Sequence, residues 1–168
     1  MPTLLWSDEL ALGVAAMDAT HQEFVALLAD VARAAHATLL VRWQALVDHT
    51  ADHFAQEDRW MLAPRFAPPH CHTTPHQAVL GVMREGLAMG RAGDLAPVRQ
   101  MARELATWFP LHADSMDAAL AMHLKRVRFD PASADIAHAS ALPAEVIHGC
   151  GGVDCSPSDT AHPEHAAA

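Results

Sequence analysis

The sequence predicts an all-α protein: an up-down-up-down four-helix bundle with an N-terminal arm and a mostly disordered C-terminal tail. Three observations carry that prediction. Apolar residues recur at helical spacing through four long segments, and period-2 alternation is almost absent. Proline and glycine breakers separate those segments by short connections, which suit antiparallel neighbours. Composition then changes abruptly near Phe129-Asp130-Pro131. At 168 residues the chain is long enough for one domain that buries its own core.

Taken in order, residues 1–17 hold Leu4, Leu5, Trp6, Leu10, Leu12 and Val14, too apolar for a free tail, and are expected to pack along the bundle as an arm. The first helix is expected over 19–38, carried by Phe24, Leu27, Leu28, Val31 and Ala35. The second, over 41–63, shows Trp43, Leu46, Val47 and Phe54, and Pro64, Pro68 and Pro69 follow it. Val79, Leu80, Met83 and Leu87 mark the third over 72–90, with Gly90 and Gly93 as its expected stop. Asp94 is placed to cap the fourth, over 95–127, where Met101, Leu105, Trp108 and Leu111 form the stripe and Pro97 sits harmlessly in the first turn. Helices of this length run ~30–45 Å at ~1.5 Å per residue. Residues 1–129 thus form the bundle domain. Residues 130–168 carry six acidic residues, no Lys or Arg, and much Ala, Ser, Pro and Gly. Within this tail, only short helical turns around 132–138 and 143–148 are expected.

Charge and composition narrow the function. Against 20 Asp and Glu stand 11 Lys and Arg, and a net charge of −9 without a basic cluster repels phosphate backbones, so nucleic acid is excluded as a partner. The apolar runs fall far short of the ~18–20 residues a membrane span needs, and the N-terminal residues do not read as a signal peptide. A soluble, cytoplasmic protein is expected. Three cysteines leave one unpaired and do not make a disulfide framework. The outlier is histidine, at 13 residues.

The spacing of those histidines carries chemistry. His53-Phe-Ala-Gln-Glu57 puts an imidazole and a carboxylate ~40° apart on one helix face, and His72-Thr-Thr-Pro-His76 repeats the geometry with two imidazoles. His21 lies on the first helix, His112 and Asp117 on the fourth. Singly, such pairs are ordinary features of helix surfaces. Together, five neutral nitrogens and two carboxylates drawn from four helices exceed a tetrahedral zinc site and suit two five- or six-coordinate ions bridged by carboxylates. One spacing resists a regular helix, because residues five apart point ~140° away from each other. A π-like turn between 112 and 117, at ~4.4 residues per turn, would bring His112 and Asp117 within ~50°.

Trp6, Gly13 and Met17-Asp18-x-x-His21, then His53-Phe-x-x-Glu57-Asp58-x-x-Met61, His72-x-x-x-His76 and Trp108-x-x-x-His112-x-x-x-x-Asp117, resemble the hemerythrin family in its bacterial single-domain and sensor-attached members. The resemblance spans residues 6–117. It implies two iron ions (Fe2+/Fe3+), oxo- or hydroxo-bridged, with dioxygen as a reversible ligand and no substrate transformed. Carried over position by position, His72, His76 and His112 would hold one iron, His21 and His53 the other, and Glu57 and Asp117 would bridge. The second iron would keep an open position. Departures from the family pattern are Thr20, Phe66 and Pro110, the last expected to kink the fourth helix; Phe109, Pro110 and Leu111 are expected at the oxygen pocket. The alternative is a di-iron redox enzyme, an oxidase, peroxidase or nitric-oxide-handling catalyst on the same site. A ferritin-like centre is disfavoured because the one Glu-x-x-His pair is Glu145 to His148, in the tail. A protein partner is left open, with the acidic tail as the candidate contact.

The remaining candidates read more plainly. His36, His49, His70 and His123 fill no ligand slot; His49 reads as a half-exposed helix histidine. Cys71 reads as a loop thiol, and Trp6, Trp43, Trp60 and Trp108 as packing, with Trp108 the best wall for the site. His148-Gly-Cys150-Gly-Gly-Val-Asp-Cys155 has a metal-like look but lies in a Gly-rich context without a core to orient it, and no function is assigned to it.

Overall fold

The computed structural model describes residues 4–66 and 69–145, the side chains of residues 69–71 excepted. The expectations for Cys71, Cys150, Cys155 and the turn beyond residue 145 therefore lie outside the described residues. Helix α1 spans Ala15–Arg33, α2 Leu39–Leu62, α3 Pro69–Arg91 and α4 Ala96–His112. Five residues of π-helix, Ala113–Asp117, lead directly into α5, Ala118–Val127. The predicted fourth helix is thus α4, the π segment and α5 in one rod. The packed pairs are α1 with α2, α2 with α3, α3 with α4 and α4 with α1, which closes a four-helix bundle. No strand occurs among the described residues, only an antiparallel bridge between Phe129 and Ile136.

The expected helix bounds shift for identifiable reasons. Asp18 accepts hydrogen bonds from the backbone N–H groups of Leu12 (2.7 Å) and Gly13 (3.0 Å), fixing the turn that feeds α1 and letting the helix begin at Ala15. Ala34 and Ala35 turn extended, and His36–Thr38 form a 3-10 turn into α2, so the first helix stops at Arg33 rather than 38. Gly90 lies inside α3. A Cβ there would collide with the Leu40 side chain, so this glycine permits the close approach of α2 and α3, and Gly93, at φ 101°, is the residue that turns the chain. The N-cap of α4 is Leu95 rather than the expected Asp94, which lies one residue before it and accepts from Ala96 N–H at 3.1 Å.

Two apolar clusters fill the bundle. The larger contains Phe24, Leu28, Trp43, Leu46, Met83, Leu105 and Phe109, and the arm residues Leu4, Trp6 and Leu10 pack on it as expected. The smaller contains Met17, Trp60, Met61, Leu120, Leu124 and Val127. On α1 the order is Met17, His21, Phe24; on α2 it is Val47, His53, Glu57, Trp60. The polar residues therefore form a layer between the two apolar ones.

One expectation needs correction. Leu111 is 67% exposed, whereas Phe109 is 1% exposed. The buried positions Leu105, Phe109 and His112 step by four and three residues, which leaves Leu111 ~100° from His112. At the start of the acidic tail, where short turns were expected, residues 130–145 turn back through the Phe129–Ile136 bridge and a 3-10 turn at Ala139–Ala141. Ile136, Ala141 and Leu142 pack on the smaller cluster. α4 continues as a helix through Pro110 to His112.

Candidate metal centre

Each of the seven predicted side chains is delivered by a buried helical position. His21 comes from α1, His53 and Glu57 from α2, His72 and His76 from α3, and His112 and Asp117 from the ends of α4 and the π segment; all are at most 3% exposed. The π turn is the one anticipated: Ala118 donates its N–H to the carbonyl of Ala113, five residues back, and the wider turn brings Asp117 round to His112.

The Nε2 atoms of the five imidazoles converge on two carboxylates. Glu57 Oε1 faces His53 (3.0 Å) and His21 (3.5 Å), while its Oε2 faces His76 (3.4 Å) and His72 (3.6 Å). Asp117 divides in the same way, Oδ1 toward His72 (3.0 Å) and His112 (3.2 Å), Oδ2 toward His21 (3.4 Å). Each carboxylate thus offers one oxygen to a three-imidazole group and the other to a two-imidazole group. Ligand-type atoms of Glu57, His72, His76, His112 and Asp117 lie within 4.8 Å of one another, as do those of His21, His53 and Glu57.

Charge is unevenly spread in this layer. Burial opposes ionisation of Glu57, but the His53 imidazole, which hydrogen-bonds it, and the close approach of His21 and His72 hold it well below the usual carboxylate range. Asp117 is lowered too; burial and Glu57 push it up, and His112 and His72 outweigh them. Burial pulls His72 down, yet its bonds to Asp117 and Glu57 raise it to about 9. For His53, burial is likewise outweighed by Glu57, with a net rise. His76, where burial dominates, falls to about 3.

The layer is short of hydrogen bonds in a telling way. Among the described residues, the buried side-chain polar atoms without a partner are both nitrogens of His21, the Nδ1 atoms of His53, His72 and His76, Glu57 Oε2 and Asp117 Oδ2, all in this cluster. Orphaned buried polar atoms are destabilising; of these, His21 Nε2, Glu57 Oε2 and Asp117 Oδ2 are the converging atoms that a bound metal would satisfy, whereas the Nδ1 atoms, across rings whose Nε2 atoms converge, would gain nothing from it. His76 Nε2 and His112 Nε2 face each other at 3.0 Å. That is the separation of neighbouring vertices in an octahedron with the ~2.1 Å bonds that first-row ions make to imidazole. Nitrogen and carboxylate donors without thiolate suit iron or manganese. The residues fit a metal.

A family comparison gives the same direction. The Hemerythrin HHE cation binding domain matches residues 12–124, more than half of the chain. The chain belongs to the hemerythrin family. It is 44% identical over 117 residues to a protein named bacteriohemerythrin from Ralstonia nicotianae, covering 70% of this chain and 85% of that one. No solved structure matches it.

Around the cluster of this hemerythrin domain stand aromatic walls. Trp108 stacks on His112 (centroids 4.4 Å, 22°), the wall expected of it, and Phe54 stacks on His76 (3.9 Å, 2°). On the two-imidazole side Phe109 meets His21 edge-on at 5.1 Å and stacks on Phe24 at 4.5 Å. His49 is more enclosed than expected: its Nε2 lies 3.2 Å from the Thr20 carbonyl and its ring centroid 6.0 Å from that of His53. Sequence reasoning missed two supports. Thr73 donates to Asp58 Oδ1 (2.8 Å), which lies 3.6 Å from His76 Nδ1. His123, buried, donates from Nε2 to the carbonyl of Pro64 at 2.7 Å. The adjacency of Asp58 to Glu57 was the available signal for the first; no local pattern marks the second.

Proposed function

We propose that this chain binds dioxygen reversibly at two iron ions held between its helices, acting as an oxygen carrier, store or sensor. The observation that supports this most directly is the division of each carboxylate between a three-imidazole and a two-imidazole group. On this reading His72, His76 and His112 would hold one iron, His21 and His53 the other, and Glu57 and Asp117 would join them. Two divalent ions bring +4 against −2 from the carboxylates, a balance that a buried site tolerates better than bare cations. Bound iron supplies electrons and a coordination position for dioxygen.

The chain's own residues do the rest. The group with fewer imidazoles is the one walled by Phe109 and Phe24, so an outside ligand held on that side would meet apolar rings. Phe54 and Trp108 cover the three-imidazole group from the other side. Excluding water in this way limits proton leakage into the site. The name of the Ralstonia relative agrees with this reading.

The test is to load purified chain anaerobically with Fe2+, count iron, and record the visible spectrum as air is admitted and then removed. Two irons per chain and a band that comes and goes with oxygen are expected. A band that never forms, or that decays while oxygen is consumed, would replace reversible binding by the di-iron redox enzyme.

A further inference from the structure

We propose that residues 128–145 form a strap that keeps shut the end of the bundle through which metal enters and leaves, and so sets how long the centre retains its metal. The strap lies beyond residue 124, where the match to the family domain ends; the proposal rests on the metal-binding reading above.

The strap is built with specific fastenings. Arg128 adopts the left-handed conformation (φ 50°, ψ 54°) that stops α5, and Phe129 N–H bonds back to Leu124 O at 2.9 Å, reversing the chain. Asp130 then caps the turn, accepting from Ala132 N–H (2.9 Å) and the Ser133 hydroxyl (3.1 Å). The returning stretch is bound to the end of α5 by Ala137 N–H to Arg128 O (3.2 Å) and His138 N–H to Val127 O (3.0 Å). Ile136 and Leu142 lie on the smaller apolar cluster. Further along, Arg65 Nη1 reaches the carbonyls of Pro143 (3.5 Å) and Ala144 (3.4 Å), which ties the strap to the connection between α2 and α3.

That end of the molecule is the short way to the metal ligands. Trp60 and Met61 sit one turn beyond Glu57, Leu120 and Ala121 one turn beyond Asp117, and Met17 one turn before His21. His72 lies in the first turn of α3. A single apolar layer therefore separates the ligands from this end, whereas the larger cluster stands on the other side. Local opening follows the route with the fewest buried contacts. The strap covers that route, and Arg65 together with His123 holds its loop in place.

The test uses the full-length chain and its Ile136→Ser/Leu142→Ser variant, loaded anaerobically with Fe2+ and mixed with excess ferrous chelator. Amide hydrogen exchange over residues 58–66 is followed in parallel on the metal-free proteins. A Val31→Ala variant in the larger cluster serves as control, compared at temperatures equally far below each melting point. The strap variant should lose iron about tenfold faster, the factor that ~1.4 kcal/mol gives, and lose protection over 58–66, while the control does neither. Equal release and exchange in strap variant and parent, or equal acceleration in the control, overturns the proposal. A chain that takes up no iron overturns the oxygen-binding reading instead, and the strap then stands or falls on the exchange result.

Discussion

Loading the metal-free chain with iron should release protons, and its affinity for iron should climb steeply with pH. His72 is the reason. Its Nε2 lies 3.0 Å from Asp117 and 3.6 Å from Glu57, and these contacts raise its imidazole to about 9 against the pull of burial. At pH 7, about two units below that value, the imidazole is held protonated where the proposed metal bond would form. At 1.36 kcal/mol per unit, displacing it opposes loading by about 2.7 kcal/mol, or ~100-fold in apparent affinity. The penalty shrinks about tenfold per pH unit up to about 9. His53, also raised, adds in the same direction; His76, held near 3 by burial, is already neutral and adds nothing. Anaerobic Fe2+ titrations against a chelator at pH 6, 7 and 8, corrected for the chelator's own protonation, give the slope. An indicator dye in weak buffer counts the protons. We expect about one proton or more per chain at pH 7 and a rise of about tenfold or more per unit. Affinity independent of pH, with no proton released, would refute the reasoning. Without metal the same shifts set stability: the share from His72 is full below its ordinary value of 6.5 and is lost as pH rises through about 9. For His76, lowered to about 3, the unfolded chain binds the extra proton below 6.5, so stability falls as pH drops through that window.

Four further outcomes are expected. Glu57→Ala should fail to hold two irons per chain in an iron assay; full loading would remove it as a bridge. Phe109→Ala empties a fully packed position against Phe24 and His21 and should cost about 3–5 kcal/mol, read as a melting point lower by roughly 10 °C or more, with faster decay of the oxygenated spectrum. Asp18→Ala leaves the N–H groups of Leu12 and Gly13 without their acceptor and should cost about 1–3 kcal/mol in denaturant unfolding, while Leu111→Ser at its exposed position should stay within about 0.5 kcal/mol.

The buried histidine and carboxylate cluster was legible because most of its members obey a helical phase that sequence records: four residues from His53 to Glu57, four from His72 to His76. Even the irregular five from His112 to Asp117 announced a wide turn. Termini were less legible where alanine stands at the break. Ala34-Ala35 carries no proline, glycine or cap to mark the extended backbone found there, and the Ala34 carbonyl is met by Arg99 from α4, 65 positions away. Gly90 misled for the opposite reason, since a glycine inside a helix can serve close approach as well as termination. The tail read as unstructured because an acidic, alanine-rich stretch has few apolar anchors, yet Ile136 and Leu142 suffice when a ready apolar surface waits for them. His123 and Pro64 are joined across 59 positions, a distance no local pattern spans.

The π segment also settles a matter of phase. Projected at ~100° per residue, the buried positions of α4 average close to one direction, and those from Asp117 to Val127, continued as a regular helix, would average about 60° away. The wide turn absorbs that slip, so both halves of the rod face inward. Removing one exposed residue, Asp114 or Ser115, would absorb it equally well, and the apolar stripe would then run straight through an ordinary helix. The hydrophobic core is therefore indifferent to the surplus residue. What the surplus alters is the spot from which Asp117 projects, and the rod carries one residue more than its own packing requires on behalf of that single carboxylate.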